Sequence, residues 1–288
     1  MSGIELTTPL TTVAWAQDKF SFTPGDVVPE ALILKTSTVS GHIEGDRPSL
    51  RVAYVKDDES AAYVAEGAEI TDSAPELSEV VIHTKKLARL VSISNEQHRQ
   101  PETPGQTAQS VARDLIRKAD LSYLSEVAPT PPATGSTGLL HTAGVVDGGE
   151  VAANLDGLVD LVAELEANLA HPGYIVVDPR TWASLRKLKV GGDQINASLL
   201  GAGTTDAVPM LLSLPVLRSP FIPANSGLVI DPSAIVSAVG QVNIAQSDHA
   251  LFANDAVLLR ATWSIGWAVM RPERVGRFTV DPGDSDGS

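Results

Sequence analysis

The sequence predicts an α+β fold, and three observations predict it. The stretch from Val80 to Val127 opens with β-like alternation and closes as a long amphipathic helix. Near the other end, Val257 to Met270 alternates apolar and polar positions in the manner of one long strand. Between them short helical and strand patterns are mixed without the regular strand–helix–strand beat of a parallel α/β sheet, and no internal repeat is present.

From the start, residues 1 to about 40 read as an extended arm. Thr7 to Thr12 is β-branched and broken by Pro9, and Pro24-Gly25 and Pro29 interrupt again. Phe20, Phe22, Val27, Val28, Leu32, Ile33 and Leu34 are too apolar for a frayed tail, so the arm is expected to dock on a neighbouring subunit. Arg51 to Val64 reads as a hairpin, with Val52 and Tyr54 facing Tyr63 and Val64 around Lys56 to Ser60. Asp57, Asp58 and Glu59 fit a solvated turn, because a metal or acid–base site needs groups converging from separate elements. Ala65 to Glu79 is polar and acidic, so the whole of Arg51 to Glu79 is expected to protrude as a flap.

One loose strand is expected from Val80 to Ile93, stopped by Ser92-Ile93-Ser94-Asn95. Thr103-Pro104-Gly105-Gln106 then offers a capping hydroxyl, a proline at the first helical position and a back-reaching glutamine. Ala108, Val111, Ala112, Leu115, Ile116, Ala119 and Tyr123 recur at helical spacing, with Arg113, Asp114, Arg117, Lys118 and Asp120 on the other side. A helix from Pro104 to Glu126 would be roughly 34 Å long, a backbone for other elements to cross.

Pro129 to Gly138 has the composition of a linker. Asn154 is the expected cap of a second helix bearing Leu155, Leu158, Val162, Leu165 and Leu169, ended by His171-Pro172-Gly173. Tyr174 to Val177 is a short buried strand, and Asp178-Pro179 caps a third helix with Trp182, Leu185 and Leu188. Val190 to Val208, with four glycines, reads as a mobile loop. Leu214 to Leu217 and Leu228 to Ile230 are short strands, and Asp281-Pro282-Gly283-Asp284 starts a polar tail.

The totals narrow the function. The 288 residues are 43% hydrophobic but only 5% aromatic, and the net charge is −14. A basic footprint for reading nucleic acid is absent. No cysteine is present, which removes disulfides, thiolate catalysis and cysteine metal sites. No apolar run reaches the ~18 residues of a membrane helix, and Met1-Ser2-Gly3-Ile4 does not begin a signal peptide, so a cytoplasm-like compartment is expected. The histidines at 42, 83, 98, 141, 171 and 249 fall in no metal-ligand spacing. Gly201-Ala202-Gly203-Thr204-Thr205 lacks the Lys-Ser/Thr end of a phosphate loop, and Ser136 sits in no nucleophile elbow. The sequence therefore offers no catalytic, cofactor-binding or metal residues, and an enzyme is not expected.

The order of the pieces resembles one family. An extended arm, an acidic flap, a long helix, a central α/β unit and a long terminal strand succeed one another as in tailed-bacteriophage major capsid proteins of the Hong Kong 97-like fold. Three stretches carry the resemblance: Ala65-Glu66-Gly67-Ala68 through Leu87 to Ser94; Gly173 to Trp182 with Leu185 and Leu188-Lys189; and Leu214-Pro215-Val216 with Phe252 through Met270-Arg271-Pro272. Together they span about Ala14 to Val280. Two departures are noted: the chain starts at the arm, with no scaffolding region of its own, and it has no inserted domain.

The resemblance implies an N-terminal arm over 1–45, an extended loop over 46–79, a peripheral domain with its spine helix over 80–150, an axial domain over 151–245, and a peripheral return strand and tail over 246–288. It implies self-assembly into pentamers and hexamers that tile an icosahedral virion head around double-stranded DNA, without sequence-specific binding, and assembly in the host cytoplasm. A separate scaffolding protein, a portal and a decoration protein are the implied partners; no cofactor and no membrane are. An encapsulin-like nanocompartment shell shares the fold and stays open beside it, as do, from other classes, an unrecognised hydrolase and a small-molecule binding module. Some members of the family weld their shells by an isopeptide bond between a flap lysine and an asparagine, assisted by a glutamate. Alignment places Glu79, Asp255 and Thr262 at those three positions. None can perform the role, so no crosslinking is expected unless Lys56 or Lys85 substitutes.

Overall fold

The computed structural model describes residues 19–43, 48–57, 63–64, 76–100, 103–152, 154–188 and 209–281. In chain order, β1 (Lys19–Phe22) is followed by two short helices, α1 (Pro24–Val27) and α2 (Leu32–Thr36), and by β2 (Thr38–Ile43). Next come β3 (Ser49–Asp57), β4 (Glu76–His83) and β5 (Lys85–Ser94), a single helical turn α3 (Asn95–His98), and the long helix α4 (Thr103–Ser125). The second half runs β6 (Val146–Val151), α5 (Asp156–Ala167), β7 (Tyr174–Val177), α6 (Pro179–Lys187), β8 (Met210–Leu211), β9 (Leu214–Arg218) and β10 (Ser226–Ile230). It closes with β11 (Ile235–Gly240), β12 (Val242–Leu251), β13 (Ala256–Val269) and β14 (Val275–Val280).

The alternation at the end of the sequence builds the strand that organises the main sheet. On β13, Val257, Ala261, Trp263, Ile265 and Trp267 are buried, while Arg260 is exposed and Leu258, Thr262 and Ser264 are half-buried. One edge of β13 pairs first with β12 and then with β11, which follow each other across a kink at Gly240-Gln241. Trp263 Nε1 donates to the Gly240 carbonyl at 3.0 Å and holds that kink. The other edge of β13 pairs with β5 over ten positions, from Ala256↔Ser94 to Ile265↔Lys85. Parallel β2 extends the sheet beyond β11, and β1 extends it beyond β12. Val111, Leu115, Ala119, Tyr123 and Leu124 of α4 share a core with the inward residues of β13.

A second sheet has the order β6-β14-β10-β7-β9-β8. Alternation again decides its faces. Ile175, Val177 and Val229 meet Leu158, Leu161 and Leu165 of α5 and Trp182 and Leu185 of α6. Val176, Leu228 and Ile230 point the other way, into the core under α4. Asp178 caps α6 as expected, accepting from the Arg180 and Thr181 amides at 2.8 and 3.2 Å. The third sheet is the two-stranded β3–β4 ribbon.

Several expectations change. Residues 19–43 of the supposed arm are folded into the subunit's own body: Val28, Ala31, Leu32 and Ile33 are buried in the main core, and β1 and β2 are strands of the main sheet. The apolar side chains that called for a neighbour's surface find one at home. Arg51 to Val64 is not a hairpin; Val52 faces Val80 and Tyr54 faces Ser78 across β3–β4, and Tyr63 is fully exposed. Val80 to Ile93 is two strands broken at Thr84, because the first half belongs to the ribbon and the second to the main sheet.

Pro129 to Gly138 is no linker either. Ser136 is buried, and Gly138 lies so close to the backbone of Ser125 and Glu126 that a Cβ would collide with it. The second helix stops at Ala167, and Leu169, at φ 59°, is exposed rather than on its buried face. Its Asn154 accepts from the Asp156 amide at 3.3 Å, a turn just ahead of the helix. Strands β6, β11, β12 and β14 were not anticipated. They cross the expected divisions: β12 spans the 245/246 boundary within the main sheet, while β6 and β14 join the sheet of β7. Val190 to Val208, the cap side chains Thr103 and Pro104, and the acidic turn at 58–60 lie outside the described residues.

Candidate functional site

Among the described residues no cluster of three or more His, Cys, Asp or Glu could hold a metal ion. The histidines at 42, 83, 98, 141, 171 and 249 fall on separate strands, turns and loops. Ser136 has a structural post: its hydroxyl accepts from the Trp267 amide at 3.0 Å and donates to the His83 carbonyl at 3.3 Å. Trp267 Nε1 donates to the Thr137 carbonyl at 2.7 Å. Three remote segments are thereby fixed at one point, beside Gly266, where a Cβ would lie 2.5 Å from the His83 carbonyl oxygen. The Gly201–Thr205 stretch lies outside the described residues.

What the subunit offers instead is surfaces. The first is the flap. Its base rests on the main sheet through Leu50 and Val52, packed on Ile43, Ile82, Val236 and Ala238. Arg51 pairs with Glu79 at 3.1 Å, and Arg271 Nη2 donates to the Val55 carbonyl at 3.3 Å. From Asp57 to Glu79 the sequence has eight carboxylates and neither lysine nor arginine.

The second surface is a groove of about 420 Å³ between β5 and α4, with Leu87 and Leu121 on its walls and Arg89, Arg117 and Lys118 around it. Arg89 is held by Asp114 at 2.9 Å. The pairing of β5 with β13 leaves the other edge of β5 open among the described residues.

The third feature is internal, where the N-terminal segment is locked to the long helix. Asp120 is buried, and its Oδ1 accepts from the Leu32 amide at 2.8 Å, capping α2 from another element. Burial pushes the Asp120 carboxyl up to about 7, against the opposing pull of that amide and of Lys35. Thr36 donates from its hydroxyl to Tyr123 Oη at 3.1 Å, and burial raises the Tyr123 phenol. Tyr123 meets Trp267 edge-on, with centroids 5.5 Å apart. Helical spacing had put Asp120 on the solvent side; the signal missed was its place beside Ala119 and Tyr123, under a segment not expected to fold back.

The three positions considered for crosslinking stand apart. Glu79 is engaged with Arg51 on the flap. Asp255 occupies the β12–β13 turn at φ 46°, where its carboxylate takes the Asn95 side-chain amide. Thr262 is half-buried on β13 between Ala88 and Asn243. Lys85 is paired with Glu126 at 3.2 Å, and the Lys56 side chain lies outside the described residues.

Comparison with known proteins gives this arrangement a family. The sequence matches the phage capsid family over residues 30–279. No curated protein matches it. Solved structures do. A capsid of a native GTA particle is similar at TM-score 0.65 and 18% identity, with 87% of this chain and 90% of that chain covered. A chain from Gordonia phage Cozz is similar at TM-score 0.65 and 16% identity, covering 93% of this chain and 89% of that one. One from Mycobacterium phage Bobi is similar at TM-score 0.63 and 14% identity, covering 96% and 99%. A sequence match over most of the chain and a shared fold from end to end agree with the surfaces just described: the chain belongs to the phage capsid family, as a major capsid protein.

Proposed function

We propose that this chain assembles with copies of itself, as pentamers and hexamers, into the icosahedral head of a tailed bacteriophage, enclosing double-stranded DNA. The observation that supports this most is the family match over residues 30–279, together with likeness to solved capsid subunits along nearly their whole length. The subunit's surfaces suit the role. An acidic flap stands off the body, an open sheet edge lies beside a cationic groove, and the described interior is occupied by structural bonds rather than convergent reactive groups. On this reading the sheet of β7 with α5 and α6 is the axial unit, nearest the capsomer centre. The main sheet with α4 is the peripheral unit, facing other capsomers.

The function is structural rather than enzymatic, and shell strength comes from non-covalent contacts that sum over many copies. The net charge of −14 suits a wall that confines DNA without gripping its phosphates. A separate scaffolding protein, a portal and a decoration protein are the fitting partners, with assembly in the host cytoplasm and residence in the virion. Negative-stain imaging of the purified protein at assembling concentrations tests the reading. Closed shells of uniform size are expected; protein that stays monomeric or forms only small symmetric oligomers would overturn it.

A further inference from the structure

We propose that the exposed face of α4 is the face this subunit turns to duplex DNA, with Arg113, Arg117 and Lys118 taking its phosphates. The inference rests on the shell reading above and names the surface that meets the enclosed molecule. The chain carries a net charge of −14, yet Lys85 to Lys118 holds seven lysines and arginines against three carboxylates. β5 and most of α4 are therefore basic in an acidic protein. The two sides of the main sheet differ accordingly. Strand β11 shows the division: Ile235 and Val239 share a core with Val111, Leu115 and Ala119 of α4, while Val236 and Ala238 carry Leu50 and Val52 of the β3–β4 ribbon. From Asp57 to Glu79 the ribbon's sequence has eight carboxylates and neither lysine nor arginine. A polyanion is repelled by that side of the subunit and drawn to the side of α4.

The helix geometry fits a row of phosphates. Gln106, Gln109, Arg113 and Arg117 recur three or four positions apart and are exposed, with Lys118 exposed beside them. At 1.5 Å per residue the row from Gln106 to Lys118 is about 18 Å long, which spans about five phosphates of one DNA strand at 3.4 Å each. Every side chain in it carries N–H donors. Of the two carboxylates on α4, Asp114 is held by Arg89 at 2.9 Å and Asp120 is buried against the Leu32 amide. Arg113, Arg117 and Lys118 form no ion pair among the described residues. A protein partner would ask for a different surface. Docked protein faces are anchored by large apolar or aromatic side chains. Between Gln106 and Lys118 none is exposed, and Leu121, 41% exposed, lies just beyond. Three cations per subunit make weak, salt-sensitive contacts, which repetition over many copies turns into a lining for the DNA without a tight hold on any one stretch.

Binding of full-length subunits, held below their assembling concentration, to a fluorescent duplex tests this. Anisotropy is read with a duplex of about 30 bp at about 10 to 100 mM salt. The parent's affinity is expected to fall with salt on a double-logarithmic slope of about −2.7, as three neutralised phosphates require. R113Q/R117Q/K118Q should flatten that slope to near zero and bind at least about tenfold more weakly at the lowest salt. R113K/R117K keeps the charges and should keep the slope. R180Q/K187Q, which removes two exposed basic residues of α6, should bind like the parent. Circular dichroism melts confirm folded subunits; if the triple variant does not fold, R117Q/K118Q serves, with an expected slope of about −0.9. A parent that ignores the duplex, or an α4 glutamine variant that binds it like the parent, overturns the inference. So does a loss of binding confined to R180Q/K187Q. Polyglutamate binding about tenfold more tightly than the duplex at equal charge would assign the face to an acidic protein, and would overturn it too. Shell formation is scored separately by negative stain. Closed shells from subunits that ignore DNA sink this inference alone, whereas subunits that never form shells sink the shell reading and this inference with it.

Discussion

Replacing Asp120 by Asn isolates the lock between α2 and α4. The carboxyl is 5% exposed and accepts from the Leu32 amide at 2.8 Å. Its ordinary value of 3.8 is displaced to about 7, chiefly by burial. Because the folded value lies above the unfolded one, the folded subunit prefers the protonated acid. The stability this contributes is complete below pH 3.8 and is lost as pH rises through about 7. The displacement corresponds to a ceiling of about 4 kcal/mol, and relaxation around the ionised group should leave about 2 kcal/mol to be measured. Asn keeps an oxygen for the Leu32 amide and never ionises. The assay is urea unfolding of subunits held below their assembling concentration, followed by tryptophan fluorescence at several pH values from 8 to 4. Stability of the parent minus that of D120N should rise by about 2 kcal/mol as pH falls. Taking the difference cancels Asp147, whose carboxyl Arg277 holds below the usual range and which runs the opposite way. A difference that stays flat, or falls on acidification, would refute the argument that burial governs this carboxyl.

Four further outcomes follow from the fold. Leu115→Asp places a charge on the fully packed face of α4, where the side chain is 3% exposed, and should abolish a cooperative circular dichroism melt through a loss of about 3–5 kcal/mol; a near-normal melt would contradict the core assignment. Gly266→Ala puts a Cβ 2.5 Å from the His83 carbonyl oxygen and should cost about 2 kcal/mol, seen as a lower Tm, unless the β4–β5 junction can give way. Deleting residues 1–18 spares every described strand and helix, from β1 at Lys19 onward, so the subunit should still melt cooperatively, while shells of the shortened protein form poorly or come apart at lower temperature; equally heat-stable shells would remove the case for an intersubunit arm. Mature particles boiled in detergent should give one band near 30.2 kDa on a gel, whereas a ladder of dimers to hexamers would refute the absence of covalent joining.

Local pattern revealed the elements whose identity is written locally. The helix of Thr103–Ser125, the strand of Ala256–Val269 and the Asp178 cap each follow from periodicity or from one capping residue. Pairing over long distances was hidden. Val52 looked ready to face Tyr63 or Val64 across a tight turn, but its partner is Val80, 28 positions further along the chain, and local pattern does not announce so distant a pairing. Pro129 to Gly138 has linker composition, yet Ser136 and Thr137 are fixed by a tryptophan far along the chain. The same applies to the functional surfaces. Arg117 and Lys118 look like any solvated helix face until β5 is laid beside them. Asp120 shares their helical side in projection, but the fold-back of Leu32 buries it.

The partnership of β5 with β13 also has a consequence for the order of events during synthesis. Lys85 to Ser94 leaves the ribosome long before Ala256 to Ile265, its only ladder partners among the described residues. The same wait applies to β2, whose partner is β11, and to β1, whose partner is β12. Contacts so far apart in sequence close slowly and late. A nascent or prematurely ended chain therefore has its acidic flap sequence but no main sheet on which to display an edge. Strand β5 becomes part of a sheet only when the last long strand is in place. Formation of the main sheet thus waits for the end of the polypeptide, and a fragment that stops short of β13 lacks the strand on which β5, β11 and β12 are all laid.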